Sequence, residues 1–246
     1  MKAVNSISRG TEILKSLSSG IDRISDLSVH LNLSKSTVHR LLKTLESSGL
    51  VMQDPVTRRY YLGPLILHLA SRSVIAHQNL VVCALGEMER LRNRSKETVV
   101  LHIRVGLKRL CLEELQSSEN IRYTAGKGAI APIHTGSAGK VLLAEMADDE
   151  LDLLLRNLHL VSVGPRTITD KNVLLKELEK VRKQGYAMSF SERLPGGASV
   201  SVPIRDYVCP VALSVLGPDN RFTLKVMGRV LEELRVSAKR ISLKLK

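Results

Sequence analysis

The stretch "LNLSKSTVHRLLKTLESSGLV" (Leu31–Val51) decides the fold of the first part of the chain. Apolar side chains recur in it at the spacing that places them on one face of an α-helix. They are Val38, Leu41, Leu42 and Leu45. The opposite face is polar and basic, and its charge is concentrated in the first turns. The stretch therefore predicts an amphipathic helix whose polar face is either merely solvated or binds a partner.

Local signals mark both ends of this helix. Ser34 is a suitable N-cap, and Leu33 before it can pack on Val38 as a hydrophobic staple. Gly49 fits the left-handed position that commonly follows the last turn of a helix. The sequence thus predicts the boundaries of the helix as well as its existence.

Two further helical patterns precede this stretch, in "NSISRGTEILKSLSS" (5–19) and "RISDLSVHL" (23–31). Ser25 is expected to cap the second of them, and Asn32 suits the turn that follows because Asn tolerates the left-handed conformation. A helix, a short turn and a helix with a basic first half predict a helix-turn-helix. Its second helix would fit the major groove of DNA, which is about 12 Å wide.

A basic hairpin pattern follows in "LVMQDPVTRRYYLG" (50–63), with Asp54 and Pro55 as turn formers. A hairpin in this place is a wing that can contact the DNA backbone or the minor groove. A small helical domain with solvated charges is the alternative, but cap, staple, turn and hairpin together favour DNA binding. The residues expected at base edges or adjacent phosphates are Lys35, Ser36, Thr37, His39 and Arg40. The residues expected at the backbone or minor groove are Lys43, Arg58 and Arg59.

Composition limits the classes of protein that the chain can represent. Its 246 residues suffice for one large domain or two small ones, and its net charge of +13 is typical of proteins with an acidic partner. No apolar run reaches the roughly 18 residues of a membrane span, and the first residues do not resemble a signal peptide. The cysteines, at positions 83, 111 and 209, lack metal-site spacing. We expect reduced, buried thiols in a cytoplasmic protein with no membrane partner.

Residues 63–94 carry a long, loosely periodic apolar stripe. It predicts a linker helix and the first helix of a second domain, with one break near Ser71 to Gln78. The stripe could pack entirely within one chain. It could also pair with the same stripe of a second subunit, which is the expected arrangement because helix-turn-helix dimers need two DNA-reading heads about one helical turn apart.

Beyond residue 95 the hydrophobic period shortens. "TVVLHIRVGLKRLCLEEL" (98–115) predicts two strands that turn near Gly106. "QGYAMSFS" (184–191), "ASVSVPIR" (198–205) and "VALSVLG" (211–217) predict three more, with amphipathic helices between and after them. This pattern predicts an α+β domain with an antiparallel sheet flanked by helices.

The chain resembles the IclR-type (isocitrate lyase regulator) family of bacterial transcriptional regulators. The segments that carry the resemblance are "SKSTVHRLLKTLESSGLV" (34–51), "GAIAPIHTGSAGKVLLAEM" (128–146) and "VRKQGYAMSFSE" (181–192). The resemblance implies a winged helix-turn-helix at 1–62, linker and dimerisation helices at 63–94, and a GAF-like effector-binding domain at 95–246. We expect a homodimer, which could form a tetramer, that regulates transcription as a repressor rather than as an activator.

The same resemblance implies a pocket for a small molecule, often a carboxylate, in the second domain. The candidate contacts that it carries over are Ala131, Ile133, Ser189, Ser199, Ser214 and Leu216. This sequence departs from the family at three of them, because Ser189 replaces an acidic residue, Ser199 a cysteine found in some members, and Leu216 a serine. We expect a small sugar acid or a related carboxylate as the effector.

The turn "HTGSAGK" (134–140) lies before a predicted helix, whose free N–H groups would attract an anion. Gly136 and Gly139 would allow a close approach of the backbone. The alternative is that this turn simply packs tightly on the sheet. Both alternatives remain open at the level of sequence.

Enzyme motifs in the chain are incomplete. "GKGAIA" (126–131) resembles a dinucleotide fingerprint, but Pro132 follows where a helix should run, and no βαβ unit surrounds it. His102 and His134 could lie near one another, but no Gly-x-Ser-x-Gly segment supplies a nucleophile. We expect no enzyme activity, cofactor or metal. The remaining rival function is a DNA-binding architectural protein whose second domain only dimerises.

Overall fold

The computed structural model describes residues 5–246, except for the side chains of residues 70–76. The chain divides into two compact units, Met1–Gln78 and Asn79–Lys246. Among the described residues, no helix combines the length and the apolar character that crossing a bilayer requires.

The first unit contains three helices and a two-stranded hairpin, which confirms the predicted winged helix-turn-helix. The elements are α1 (Asn5–Ser18), α2 (Ile24–Leu31), α3 (Lys35–Ser47), β1 (Val51–Gln53) and β2 (Tyr60–Leu62). Val51 pairs with Leu62 in the antiparallel hairpin. One core holds the unit together, and its fully buried side chains include Ile13, Leu27, Val38, Leu42 and Tyr60.

Most of the predicted helix boundaries in this unit are confirmed. The side chain of Ser34 accepts a hydrogen bond from the backbone N–H of Thr37 at 3.2 Å. Asn32 and Gly49 adopt left-handed φ values of 51° and 72°. The prediction that Ser25 caps α2 is wrong, because the helix begins at Ile24 and Ser25 already lies inside its first turn.

Helix α4 (Pro64–Ser95) follows the hairpin and extends into the second unit. The break that the sequence predicted near Ser71 to Gln78 falls mainly on residues 70–76, whose side chains lie outside the described part of the structure.

The second unit contains a six-stranded antiparallel sheet in the order β5-β4-β3-β8-β7-β6, with helices on both faces. Its strands are β3 (Thr98–Val105), β4 (Lys108–Leu115), β5 (Ile130–Pro132), β6 (Ala187–Phe190), β7 (Gly197–Ile204) and β8 (Val211–Pro218). Its remaining helices are α5 (Gly136–Ala144), α6 (Asp148–Asn157), α7 (Lys171–Gln184) and α8 (Leu224–Lys244). The α+β prediction is confirmed. β5 was not predicted, because three residues that include a proline give no periodic signal.

The two faces of the sheet differ in chemistry. One face presents alternate residues such as Leu101, Val200 and Leu213 to an apolar core shared with α8 and the second half of α4. The other face lies towards α5, α6 and α7, which have their own apolar cluster. Because side chains alternate along a strand, the serines of β7 and β8 fall on this second face.

Candidate DNA interface and ligand cavity

The polar face of α3 is exposed along the whole helix. Ser36, His39, Arg40 and Lys43 follow the helical spacing on the side opposite the fully buried Val38, and all four are exposed, as is Lys35 at the start of the helix. Thr37 differs from these residues. It is half-buried, and its hydroxyl lies 2.8 Å from that of Ser34, so it takes part in the N-cap.

The wing is shaped by Asp54 and carries one exposed arginine. The Asp54 carboxylate accepts hydrogen bonds from the backbone N–H of Val56 at 2.8 Å and from the Thr57 hydroxyl at 2.6 Å. These bonds hold the pKa of Asp54 below its ordinary value, because they stabilise the charged carboxylate. Arg58 follows with a positive φ of 59° and an exposed side chain.

Arg59, the second arginine of the wing, is half-buried and pairs with an acidic side chain. Its Nη1 lies 3.0 Å from Oδ2 of Asp22, and the backbone carbonyl of Asp22 accepts a hydrogen bond from Tyr60 at 2.8 Å. These contacts fasten the wing to the segment between α1 and α2. Arg59 therefore positions the wing, and Asp22 offsets its charge.

A groove runs between α2, α3 and the wing. Its lining includes His39, Lys43 and Arg58, which the sequence predicted, together with Arg23 and Gln53, which it did not. Lys43 also pairs with Glu46 at 2.7 Å on the exposed surface. An exposed pair of this kind is weak in water, so Lys43 can exchange Glu46 for another anion.

A cavity lies on the polar face of the sheet in the second unit. It measures about 510 Å³, including a part that is open to solvent. Three bonds of 2.7 Å link four hydroxyls on this face in the order Ser199, Ser137, Ser201, Ser214. The other polar side chains that line the cavity are His102, Arg109, Tyr123, Ser189 and Arg193. Apolar lining comes from residues such as Leu216, Ala125 and Ala198.

The start of α5 beside this cavity already holds an anion that belongs to the protein. The backbone N–H of Gly136 donates to Oε2 of Glu192 at 2.9 Å, and Nζ of the buried Lys140 donates to Oε1 at 2.8 Å. A Cβ added at Gly139 would overlap the carbonyl oxygen of Ile133. At Gly139 the absence of a side chain therefore permits tight packing and does not indicate an approach to a ligand. At Gly136 the anion that the helix start binds is the protein's own Glu192.

Two basic side chains are buried at the cavity. Arg109 is 4% exposed and donates from Nη1 to the carbonyl of Pro132 at 2.7 Å and to both oxygens of Thr135. Its Nε has no hydrogen-bond partner, and the same is true of Nδ1 of His102, which is 5% exposed. Burial and the neighbouring Arg193 lower the pKa of Arg109 to about 10. Burial and both arginines hold the pKa of His102 well below its ordinary value.

Comparison with known sequences identifies the family of the chain. The family described as "IclR helix-turn-helix domain" matches residues 6–55, and the one described as "Bacterial transcriptional regulator IclR C-terminal" matches residues 72–243. The chain belongs to the IclR family. It is therefore a member of a family of bacterial transcriptional regulators with a helix-turn-helix domain.

Relatives and solved structures of IclR proteins match over almost the whole chain. The "HTH-type transcriptional repressor AllR" of Escherichia coli (strain K12) is 33% identical over 227 residues, which cover 90% of this chain and 83% of the relative. An IclR-type transcriptional regulator from Alicyclobacillus acidocaldarius has a TM-score of 0.75 at 27% identity and covers 99% of both chains. An IclR homologue from Microbacterium hydrocarbonoxydans, complexed with 4-hydroxybenzoate, has the same TM-score and identity and covers 98% of both chains.

Four of the six candidate contacts carried over from the IclR resemblance line the cavity, namely Ser189, Ser199, Ser214 and Leu216. Ala131 and Ile133 do not. Ala131 lies on the edge strand β5, half-buried, and pairs with Arg109 through the backbone. Ile133 is fully buried in the cluster of α5, α6 and α7, because the chain turns towards those helices as it leaves β5.

The basic residues at the cavity of this IclR protein were not predicted as ligand contacts. Arg109 was not a candidate, and His102 was considered only in an enzyme motif, although both stand at inward positions of their strands, where an isolated basic residue is unusual. Arg109 lies two residues before the buried Cys111 in β4, so both side chains point to the same face of the strand, and Leu110 points to the other. This alternation was the signal from which Arg109 could have been predicted to point inward. Arg193 follows β6 in a bend and carries no periodic signal at all.

The depressed pKa of His102 predicts a loss of stability in acid. In the folded protein His102 stays neutral, whereas in the unfolded chain it binds a proton below its ordinary pKa of about 6.5. The free energy of unfolding should therefore decrease by up to about 1.4 kcal/mol for each pH unit below that value. Urea denaturation between about pH 5 and 7.5 should show a smaller pH slope for His102→Gln than for wild type. Equal slopes would mean that His102 is not held neutral.

Proposed function

We propose that this chain is a sequence-specific DNA-binding repressor whose affinity for its operator is modulated by a small organic acid bound in the cavity of the second unit. Membership of the IclR family supports DNA binding, and the AllR relatives support repression. The observation that carries the proposal is the exposed, basic face of α3 opposite a fully buried apolar face. A regulator that binds the chromosome of a bacterium works in the cytoplasm.

The geometry of the first unit supports specific roles at the operator. Ser36, His39 and Arg40 project from the first half of α3, where a recognition helix meets base edges in the major groove. Arginine makes the commonest specific contact, a bidentate pair of hydrogen bonds to guanine. Lys35, Lys43 and Arg58 would bind phosphates, and Arg59 would hold the wing in place.

A homodimer would present two such heads to neighbouring half-sites about one helical turn apart. Helix α4 supports this part of the proposal, because it leaves large apolar side chains uncovered in both units. Leu67 and Leu69 are exposed in its first half, and Val82 and Leu85 in its second half. We propose that this stripe contributes to a homodimer, which could pair further into a tetramer.

The cavity supports a sensing role for the second unit. A domain that only dimerises needs no hydroxyl-lined space with buried basic side chains beside it, so the architectural alternative is not favoured. The 4-hydroxybenzoate complex of the Microbacterium relative supports an organic acid as the class of effector. We propose that this domain binds and releases its ligand without turning it over.

Replacing Arg40 by alanine tests the DNA-binding part of the proposal. The affinity for the operator should fall about tenfold or more, because one good bidentate base contact is worth about 1–3 kcal/mol and a dimer makes it twice. The melting temperature should not change, because the Arg40 side chain is exposed. Fluorescence anisotropy with a labelled operator and a thermal melt measure the two quantities.

Lys15→Ala is the matched control for that experiment. It removes a positive charge from the exposed surface of α1, where Lys15 pairs with Glu12, and it leaves α3 and the wing intact. We expect nearly wild-type affinity for it. If Arg40→Ala binds as Lys15→Ala does, or if it melts at a lower temperature, the assignment of α3 as the recognition helix is wrong.

A further inference from the structure

The two arginines at the cavity lack a carboxylate in direct contact, although Glu192 lies close enough to act on the charge of Arg109. Arg109 and Arg193 both line it, and no ion pair joins either of them to a carboxylate among the described residues. The nearby carboxylate of Glu192 binds Lys140 and the backbone N–H of Gly136. A buried guanidinium without a carboxylate partner is unfavourable, so an anionic ligand would supply what the protein does not.

Two buried polar atoms at the same place lack partners. Nε of Arg109 and Nδ1 of His102 make no hydrogen bond, although both side chains are at least nine-tenths buried and line the cavity. Leaving a buried polar group unpaired costs about 1–3 kcal/mol, so such groups usually mark a missing partner. Both atoms belong to one side of the cavity, because β3 and β4 are neighbouring strands.

The first N–H group of α5, that of Gly136, is not available for the same anion. Glu192 binds this group, and the charge of Lys140 is shared between Glu192 and Glu177. The serine hydroxyls are joined in a chain of hydrogen bonds and carry no charge. Arg109 and Arg193 therefore remain as the groups at the cavity that can neutralise a carboxylate.

We propose that Arg109, His102 and Arg193 form the carboxylate subsite of this cavity. The assignment rests on the proposed sensing function and makes it more specific. Ser137, Ser199 and their neighbours would bind a hydroxyl or carbonyl group elsewhere on the ligand. The class of ligand that fits is a small organic acid with one carboxylate and at least one further oxygen group.

Isothermal titration of the full chain with matched acids and amides tests this subsite. The probes are lactate, gluconate and 4-hydroxybenzoate, each compared with lactamide, gluconamide or 4-hydroxybenzamide. We expect at least one acid to bind, and its amide to bind about tenfold or more weakly, because a carboxylate offers a negative charge and two acceptor oxygens to a guanidinium, whereas an amide is neutral and offers one. Each probe is also tested for its effect on operator affinity.

Variants separate the subsite from general effects on the domain. Arg193→Gln and His102→Gln should each weaken binding of the acid about tenfold and leave binding of the amide within about twofold. Arg109 also supports the segment before α5, so Arg193 and His102 are the safer positions to change. Arg156→Gln, which removes an exposed arginine of α6, is the control and should leave both affinities unchanged.

The outcomes distinguish this subsite from the proposed function. The subsite is wrong if acid and amide bind equally, or if both cavity variants bind the acid with wild-type affinity. In either case, an acid that still changes operator affinity would leave the sensing function intact. If no acid in the panel binds wild type or changes its operator affinity, the sensing function is overturned and the subsite with it.

Discussion

Operator affinity is expected to fall about a thousandfold when monovalent salt is raised from about 50 to about 200 mM. Each reading head exposes three cations suited to phosphates, Lys35, Lys43 and Arg58, so a dimer would neutralise about six phosphates. Since the logarithm of the affinity falls with a slope of about 0.9 per phosphate, a fourfold increase in salt gives this loss.

Anisotropy titrations at several salt concentrations measure that slope. Lys35→Ala should reduce it by about two, one phosphate for each head, whereas Lys15→Ala should leave it unchanged. A loss of affinity smaller than about tenfold over this range would contradict phosphate contacts as a main source of binding energy.

Replacing Gly139 by alanine is expected to destabilise the second unit by about 3 kcal/mol or more. Helix α5 approaches the end of β5 so closely that a Cβ at this position would overlap the backbone oxygen of Ile133. A backbone carbonyl cannot move aside as the tip of a flexible side chain can. The helix or the strand would have to shift within a close-packed interior, which transmits such strain to its neighbours.

Gly228→Ala is the control for this substitution. Gly228 lies within α8 with no atom within 4 Å of an added Cβ, so alanine should stabilise the protein by about 0.5–1 kcal/mol through its higher helix propensity. Urea denaturation of the full chain measures both changes. If Gly139→Ala unfolds at the same denaturant concentration as wild type, the close approach of α5 to β5 is wrong.

Most of the first unit could be predicted, because most of its boundaries are set by local chemistry; the start of α2, where Ser25 is not the cap, is the exception. Ser34 caps its helix through a bond to a residue three positions away, and Asn32 and Gly49 adopt the left-handed conformations that their residue types favour. Arg59 is different. Its partner Asp22 lies 37 residues away in sequence, and no local pattern indicates that contact.

The cavity could be predicted only in part, because it depends on which strands become neighbours. The serines of β7 and β8 follow a simple alternation, and the family resemblance had already selected them. His102 and Arg109 come together through the pairing of β3 with β4, which includes an irregularity in register between Leu101 and His102. Such an irregularity has no signature in the periodicity of a single strand.

The preferred DNA sequence of the protein and of Arg40→Ala is the most direct test of the claim that the polar face of α3 lies along base pairs. Both proteins, with Lys15→Ala as the control, would be used to select duplexes from a randomised pool at equal salt. We predict that wild type and Lys15→Ala select one common sequence, and that Arg40→Ala loses the preference at one base pair of each half-site while keeping the rest. If Arg40→Ala selects the unchanged sequence and only binds it more weakly, then Arg40 does not contact a base and the central claim is contradicted.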